Sequence, residues 1–164
     1  MPEPTTGGAI TSSSAVVERV IDADREAVWS VLADGWLYPG WVVGASRMRA
    51  VDDTWPAVGS KLHHSVGTWP VLIDDRTEVL ESVPGSLLRL RAHAWPSGAA
   101  EVLIELADHT GSRPGEPATL VRMQEDASNG PALLMPRPLR KLGLLPRNRE
   151  TLRRLAFLAE GRAA

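Results

Sequence analysis

The chain has 164 residues, 43% of them apolar and 23% charged, the make-up of one ordinary globular domain able to bury roughly 70% of its unfolded surface. Its formal charge of −2 lacks the global basic excess of a duplex-binding protein. The absence of cysteine excludes disulfides, a thiol nucleophile and thiolate-built metal centres.

Residues 1–14, MPEPTTGGAITSSS, predict a disordered tail rich in Pro, Gly, Ser and Thr, without the basic start and apolar run of a secretory signal. Residues 15–162 are expected to form a single domain. Ala15 to Asp22 reads as a strand enriched in β-branched residues. Asp24 can cap a helix, with Glu26 in its first turn at the positive end of the dipole. Val28, Trp29, Leu32 and Trp36 follow at helical spacing, which predicts one buried face including both tryptophans. Gly35 stops that helix, and Tyr38-Pro39-Gly40-Trp41 makes a tight turn or a short second helix. Ala27 to Ser46 carries a single charge, Asp34, but Gly35, Pro39, Gly40 and Gly44 interrupt it, so it does not read as a membrane span. The expected location is the cytoplasm.

From there the period becomes two. Strands are predicted near 45–52, 59–68, 71–82, 86–95, 99–109 and 117–127, separated by breaks that each contain Pro or Gly. Short links between sequential strands make an antiparallel meander. A turn at Trp69-Pro70 would set Val66 opposite Ile73, His64 opposite Asp75 and Leu62 opposite Thr77. A turn centred on Ser97 would set Ala92 opposite Val102, Leu90 opposite Ile104 and Leu88 opposite Leu106. One face of that second ladder is apolar throughout, and the other carries Arg89, Arg91, His93, Glu101 and Glu105. Asn129 to Leu145, with three prolines and two glycines, reads as a long loop. Pro146 suits the first position of a final helix, with Asn148, Leu152, Leu155, Ala156 and Ala159 as its inner stripe and Gly161 at its end. Arg147, Arg149, Arg153 and Arg154 fall mostly on its other side.

A curved sheet must cover this last helix, and a sheet bent round a helix leaves space between them, the default small-molecule site. The inward positions expected to line it are Met48, Leu62, His64, Val66, Ile73, Asp75, Leu90, Ala92, Val102, Ile104, Val121 and Met123, with Leu152 and Leu155 from the helix. Trp41, Trp69 and Trp95 are candidates for an aromatic rim. The competing reading of the apolar positions is an ordinary packed core.

The segment VWSVLADGWLYPGWVVGASRMRAVDDTWPAVGSKLHHSVGTWPVLIDD, then RTEVLESVPGSLLRLRAHAWP and NRETLRRLAFLAE, resembles the SRPBCC superfamily, the START-related helix-grip proteins, and more narrowly its actinobacterial polyketide cyclase/dehydrase-like members. The resemblance spans about residues 15 to 162, and Asp34, Pro39 and Trp41 belong to its most specific part. It implies an α+β fold: a seven-stranded curved antiparallel sheet wrapped around a long C-terminal helix, with two short helices between strands 1 and 2. It also implies an internal cavity for lipids, polyketides or other hydrophobic molecules. It does not imply one chemistry.

His64 and Asp75 are the polar pair expected inward at opposed positions. A carboxylate beside an imidazole fixes its tautomer and raises its basicity, as proton transfer requires, and a cross-strand structural pair is the plainer alternative. A slip of one residue would instead turn His63 and Asp74 inward. Metal binding is not expected: His63 and His64 point to opposite faces, His93 lies on the wet face and His109 near a loop. Glu125 shares the parity of Val121 and Met123, which allows a buried acid, though an edge position in water is the plainer expectation. Residues 137 to 154 hold seven basic residues against one acid, suited to transient contact with anionic lipid or to a solvated helix face. No nucleic-acid motif, cofactor fingerprint or hydrolase signature occurs. The functional expectation is a binder of a small hydrophobic molecule, monomeric or homodimeric and without a cofactor. A cyclase/aromatase-type enzyme using His64 and Asp75 is the alternative, and an interaction module with an incidental cavity a third.

Overall fold

Alternating apolar and polar residues build seven strands, and the computed structural model describes them over residues 15–94, 98–134 and 136–163. β1 (Ala15–Ile21) leads into α1 (Arg25–Leu32), a 3₁₀ turn (Gly35–Leu37) and α2 (Tyr38–Trp41). Then come β2 (Ala45–Val51), β3 (Lys61–Thr68), β4 (Val71–Val83), β5 (Leu87–Ala94), β6 (Gly98–Thr110) and β7 (Pro117–Asn129). A second 3₁₀ turn (Pro131–Leu134) precedes α3 (Arg137–Ala163). The expected tail over 1–14 and the turn at Trp95-Pro96-Ser97 lie outside the described residues.

The strands form one antiparallel sheet in the order β1-β7-β6-β5-β4-β3-β2. Register shifts in β2–β3, β4–β5 and β6–β7 mark bulges, which bend and twist a sheet locally. α3 packs against β1, β7, α1 and α2. This is the helix-grip α+β architecture, with both short helices between strands 1 and 2. No described helix is long and apolar enough to cross a membrane.

The β3–β4 register is as the hairpin arithmetic requires: Leu62 faces Thr77, His64 faces Asp75 and Val66 faces Ile73. β5–β6 differs by two residues: Leu90 faces Val102, Ala92 faces Ala100 and Leu88 faces Ile104. The strand begins earlier than expected because Gly98 pairs with Ala94. Its φ of +112° suits glycine, and a Cβ there would meet the Asn129 carbonyl oxygen at 2.0 Å. A slip of two keeps every side chain on its predicted face, where a slip of one would have inverted the strand.

Two other expectations fail for identifiable reasons. Trp36 does not share the buried face of α1 and is 61% exposed. The Asp34 carboxylate accepts from the Trp36 N–H at 3.2 Å and starts a separate 3₁₀ turn, ending the helical phase on which its burial was reckoned. α3 starts at Arg137, not at Pro146, and runs past Gly161 to Ala163. Pro138 falls in the first turn, where the missing N–H has no intrahelical partner to lose. Pro146 sits in the helix interior instead.

Candidate functional site

The two ends of the space between sheet and helix differ. At the end nearest α1, Ile104, Val121 and Leu155 expose none of their surface and Leu152 almost none, while Leu62 and Leu90, which the registers set level with Thr77 and Glu125, are as fully buried. They join Val28, Val31, Leu32 and Val79 in one core cluster. Val102 and Met123 are also buried in it. Of the other positions expected to line a cavity, Met48, Val66, Ile73 and Ala92 are partly exposed. They belong to strands whose termini form the opposite end.

Toward that opposite end the interior becomes polar. β7 turns Glu125 inward in phase with Val121 and Met123, leaving it 3% exposed. It is therefore not at a wet edge. The Arg147 guanidinium on α3 donates to both oxygens of its carboxylate. A carboxylate this deep requires such a partner. Arg147 Nη2 also donates to Asn148 Oδ1 at 3.4 Å. Asn148 is fully buried at a position that the helical stripe marked as inner.

His64 faces inward and is buried, whereas His63 points away, with Nε2 4.0 Å from the Asp52 carboxylate. Asp74 accepts from the Ser65 hydroxyl at 3.1 Å and pairs with Arg49. The His64 ring does not bond to Asp75. Its Nε2 lies 3.1 Å from Thr77 Oγ1, which in turn lies 3.0 Å from the Tyr38 hydroxyl. Tyr38 comes from α2 and is buried, its ring 5.1 Å from His64 and edge-on to Trp41 at 5.3 Å. Asp75 is half-buried, and its Oδ1 accepts from the Arg76 N–H at 2.7 Å.

Burial governs the titration of this group. It lowers the His64 pKa to about 4, helped by the nearby Arg49 cation, so the imidazole is neutral at pH 7. Burial pushes Tyr38 up to about 12, against the hydrogen bond from Thr77, so the phenol keeps its proton. Burial also raises Asp75 above the usual carboxylate range. The result is a neutral Tyr38–Thr77–His64 chain beside the Glu125–Arg147 ion pair.

Several buried polar atoms in this region have no hydrogen-bond partner: Trp41 Nε1, His64 Nδ1, Arg147 Nε and Asn148 Nδ2. Trp41 is thus not a surface rim residue but a buried wall with an indole N–H to offer. Trp69 is 85% exposed, and Trp95 lies outside the described residues. Leaving a buried donor unpaired costs about 1–3 kcal/mol, so these atoms favour a polar partner. Strand pairing revealed His64, but Tyr38, Thr77 and Arg147 were missed because their meeting depends on α2 and α3 docking. The one available signal was a polar Asn148 on an otherwise apolar stripe.

Elsewhere, a surface groove of about 740 Å³ lies between the start of α1 and the end of α3, lined mostly by charged residues including Asp22, Asp24, Glu160 and Arg162. A smaller one of about 330 Å³ borders Arg49, His63, Asp75 and His93. Among the described residues, no group of three or more His, Asp or Glu side chains is placed to hold a metal ion.

Sheet, bulges and central helix define a helix-grip domain. No family model and no curated protein matches the chain. Solved structures do. Protein NE0264 from Nitrosomonas europaea superposes with a TM-score of 0.65 at 18% identity, over 93% of this chain and 97% of its own. SA2116 from Staphylococcus aureus, a protein of unknown function, gives 0.62 at 8% identity, over 92% and 98%. The di-domain ARO/CYC StfQ from the steffimycin biosynthetic pathway gives 0.61 at 13% identity, over 92% of this chain and 52% of its own. At these identities the likeness is one of fold.

Proposed function

We propose that this chain is an SRPBCC-type, polyketide cyclase-like binding protein. Its ligand is a small, largely apolar molecule bearing oxygen acceptors, held between α3 and the polar end of the sheet. The observation that carries this reading is the set of buried, unpartnered N–H donors on Trp41, Arg147 and Asn148, gathered around Tyr38 and His64. A carbonyl, phenol or ether oxygen satisfies such donors, while Val66, Ile73, Met48 and Ala92 suit a flat hydrocarbon body. The packed end limits the ligand's depth, because nothing enters beside Ile104 and Leu155 without displacing core side chains.

Native mass spectrometry of the purified protein tests the reading. A bound small molecule of constant mass is expected, and it is lost in Asn148→Leu. A protein that carries no such mass and shows no tryptophan fluorescence change with aromatic polyketide-like compounds would overturn it.

A second reading has its own support in the Tyr38–Thr77–His64 chain and in the fold shared with an ARO/CYC protein. Here neutral His64 takes a proton from an acidic carbon between two carbonyl groups of a bound poly-β-ketone, and a neighbouring N–H steadies the resulting enolate oxygen. The step that the sequence assigned to His64 and Asp75 then belongs to His64 and Thr77. Turnover of a poly-β-ketone analogue that is abolished in His64→Gln but kept in Asp75→Asn favours this reading over simple binding.

A further inference from the structure

We infer that the end of the molecule holding the polar site docks onto an anionic membrane surface, through exposed apolar side chains and a segment of positive sequence charge. The antiparallel order brings the β3–β4 turn, the end of β7, the second 3₁₀ turn and the start of α3 to the same end. There, Leu134 is 88% exposed, Trp69 85% and Leu142 73%, and Val71 and Leu139 are exposed beside them. Apolar side chains this large and this exposed are rarely gathered at one end of a soluble domain without a partner.

Charge decides which partner. From Ala127 to Arg149 the sequence has no acid and five basic residues, Arg137, Arg140, Lys141, Arg147 and Arg149. Arg147 is committed inward to Glu125, and without it the segment still carries a sequence charge of +4, with Arg149 exposed. Further along α3, Arg153 and Arg154 pair with Glu150. A second copy of this chain would bring the same positive charge against itself. A bilayer carrying anionic headgroups accepts both the cations and the leucines, and an exposed tryptophan suits the headgroup boundary. Docking in this orientation points the polar site at the lipid, so a ligand passes between membrane and protein without crossing water.

Flotation of the full chain with vesicles tests this. Binding is expected to vesicles of phosphatidylcholine and phosphatidylglycerol in equal parts, not to phosphatidylcholine alone, and is weakened by added salt. The double variant Arg140→Glu/Lys141→Glu should lower partitioning at least ~10-fold. Leu134→Glu and Leu142→Glu should abolish it with unchanged melting, since both positions are exposed. Asn148→Leu should retain it, which separates this surface from the ligand reading. Absence of flotation, equal flotation with neutral vesicles, or a dimer in size-exclusion chromatography that Leu134→Glu dissolves would overturn the inference.

Discussion

The closed end of the grip is apolar, filled and silent; the open end is polar, unevenly satisfied and chemically furnished. At the first, Ile104, Val121 and Leu155 belong to one core cluster and expose no surface. At the second, a carboxylate, a guanidinium, an imidazole, a phenol and an amide are gathered, several with unpaired hydrogen-bonding atoms. The difference teaches where stability and function are kept in one continuous interior. The closed end supplies the fold's free energy, and that surplus tolerates the unfavourable burial at the other.

The contrast can be tested from both sides. The largest effect is expected at the closed end. Ile104→Ala opens a hole with no way to collapse and should cost about 3–4 kcal/mol in urea unfolding, while leaving ligand and vesicle binding of the folded fraction intact. Next is acid. His64 has a folded pKa of about 4 against an ordinary 6.5, so between those values the unfolded chain binds the proton more readily. Stability should therefore fall by up to about 3 kcal/mol as pH drops from 6.5 to about 4. In His64→Gln this stretch of the pH curve should flatten. Asp75 acts in the opposite sense, since its raised pKa adds stability as pH falls below that value, and it should remain visible in the variant.

A smaller loss, about 2 kcal/mol, is expected for Arg147→Ala, which strands the buried Glu125 carboxylate. The figure sits below the range for a fully buried pair because the arginine is 40% exposed. Restored stability in Arg147→Ala/Glu125→Leu would show that the pair itself contributes little. Least of all, Arg91→Ala on the outer face breaks a solvent-facing pair with Glu101 at 3.2 Å and should change stability by less than about 1 kcal/mol. If that surface change outweighed Ile104→Ala, the division between ends would be wrong.

What could be read from the sequence follows the same division. Periodicity specifies which strand face is apolar, so the meander, the inward turn of His64 and the β3–β4 register were all legible. The β5–β6 register was off by two because it depended on how Gly98 meets Asn129, a contact between strands distant in sequence. Trp36 was misplaced because the Asp34 cap breaks the helical phase, which a spacing rule does not see. Most of the open end was unreadable. Tyr38 reaches Thr77 across 39 positions and Arg147 reaches Glu125 across 22, and neither meeting leaves a local pattern. Asn148 falls in phase with the aliphatic stripe, where helical spacing alone does not set it apart. The start of α3 was hidden by prolines that suggest a loop until their place in the first turn is known.

Pro146 gives that helix a mechanical joint. Lacking an N–H, it leaves the carbonyl one turn earlier, on Leu142, without its backbone partner. The inner length, from Asn148 onward, is bolted into the sheet. The earlier length, bearing exposed Leu139 and Leu142, is joined to it across that missing backbone bond, though Leu145 still packs against the core. Amide hydrogen exchange should divide there, fast before residue 146 and slow after it.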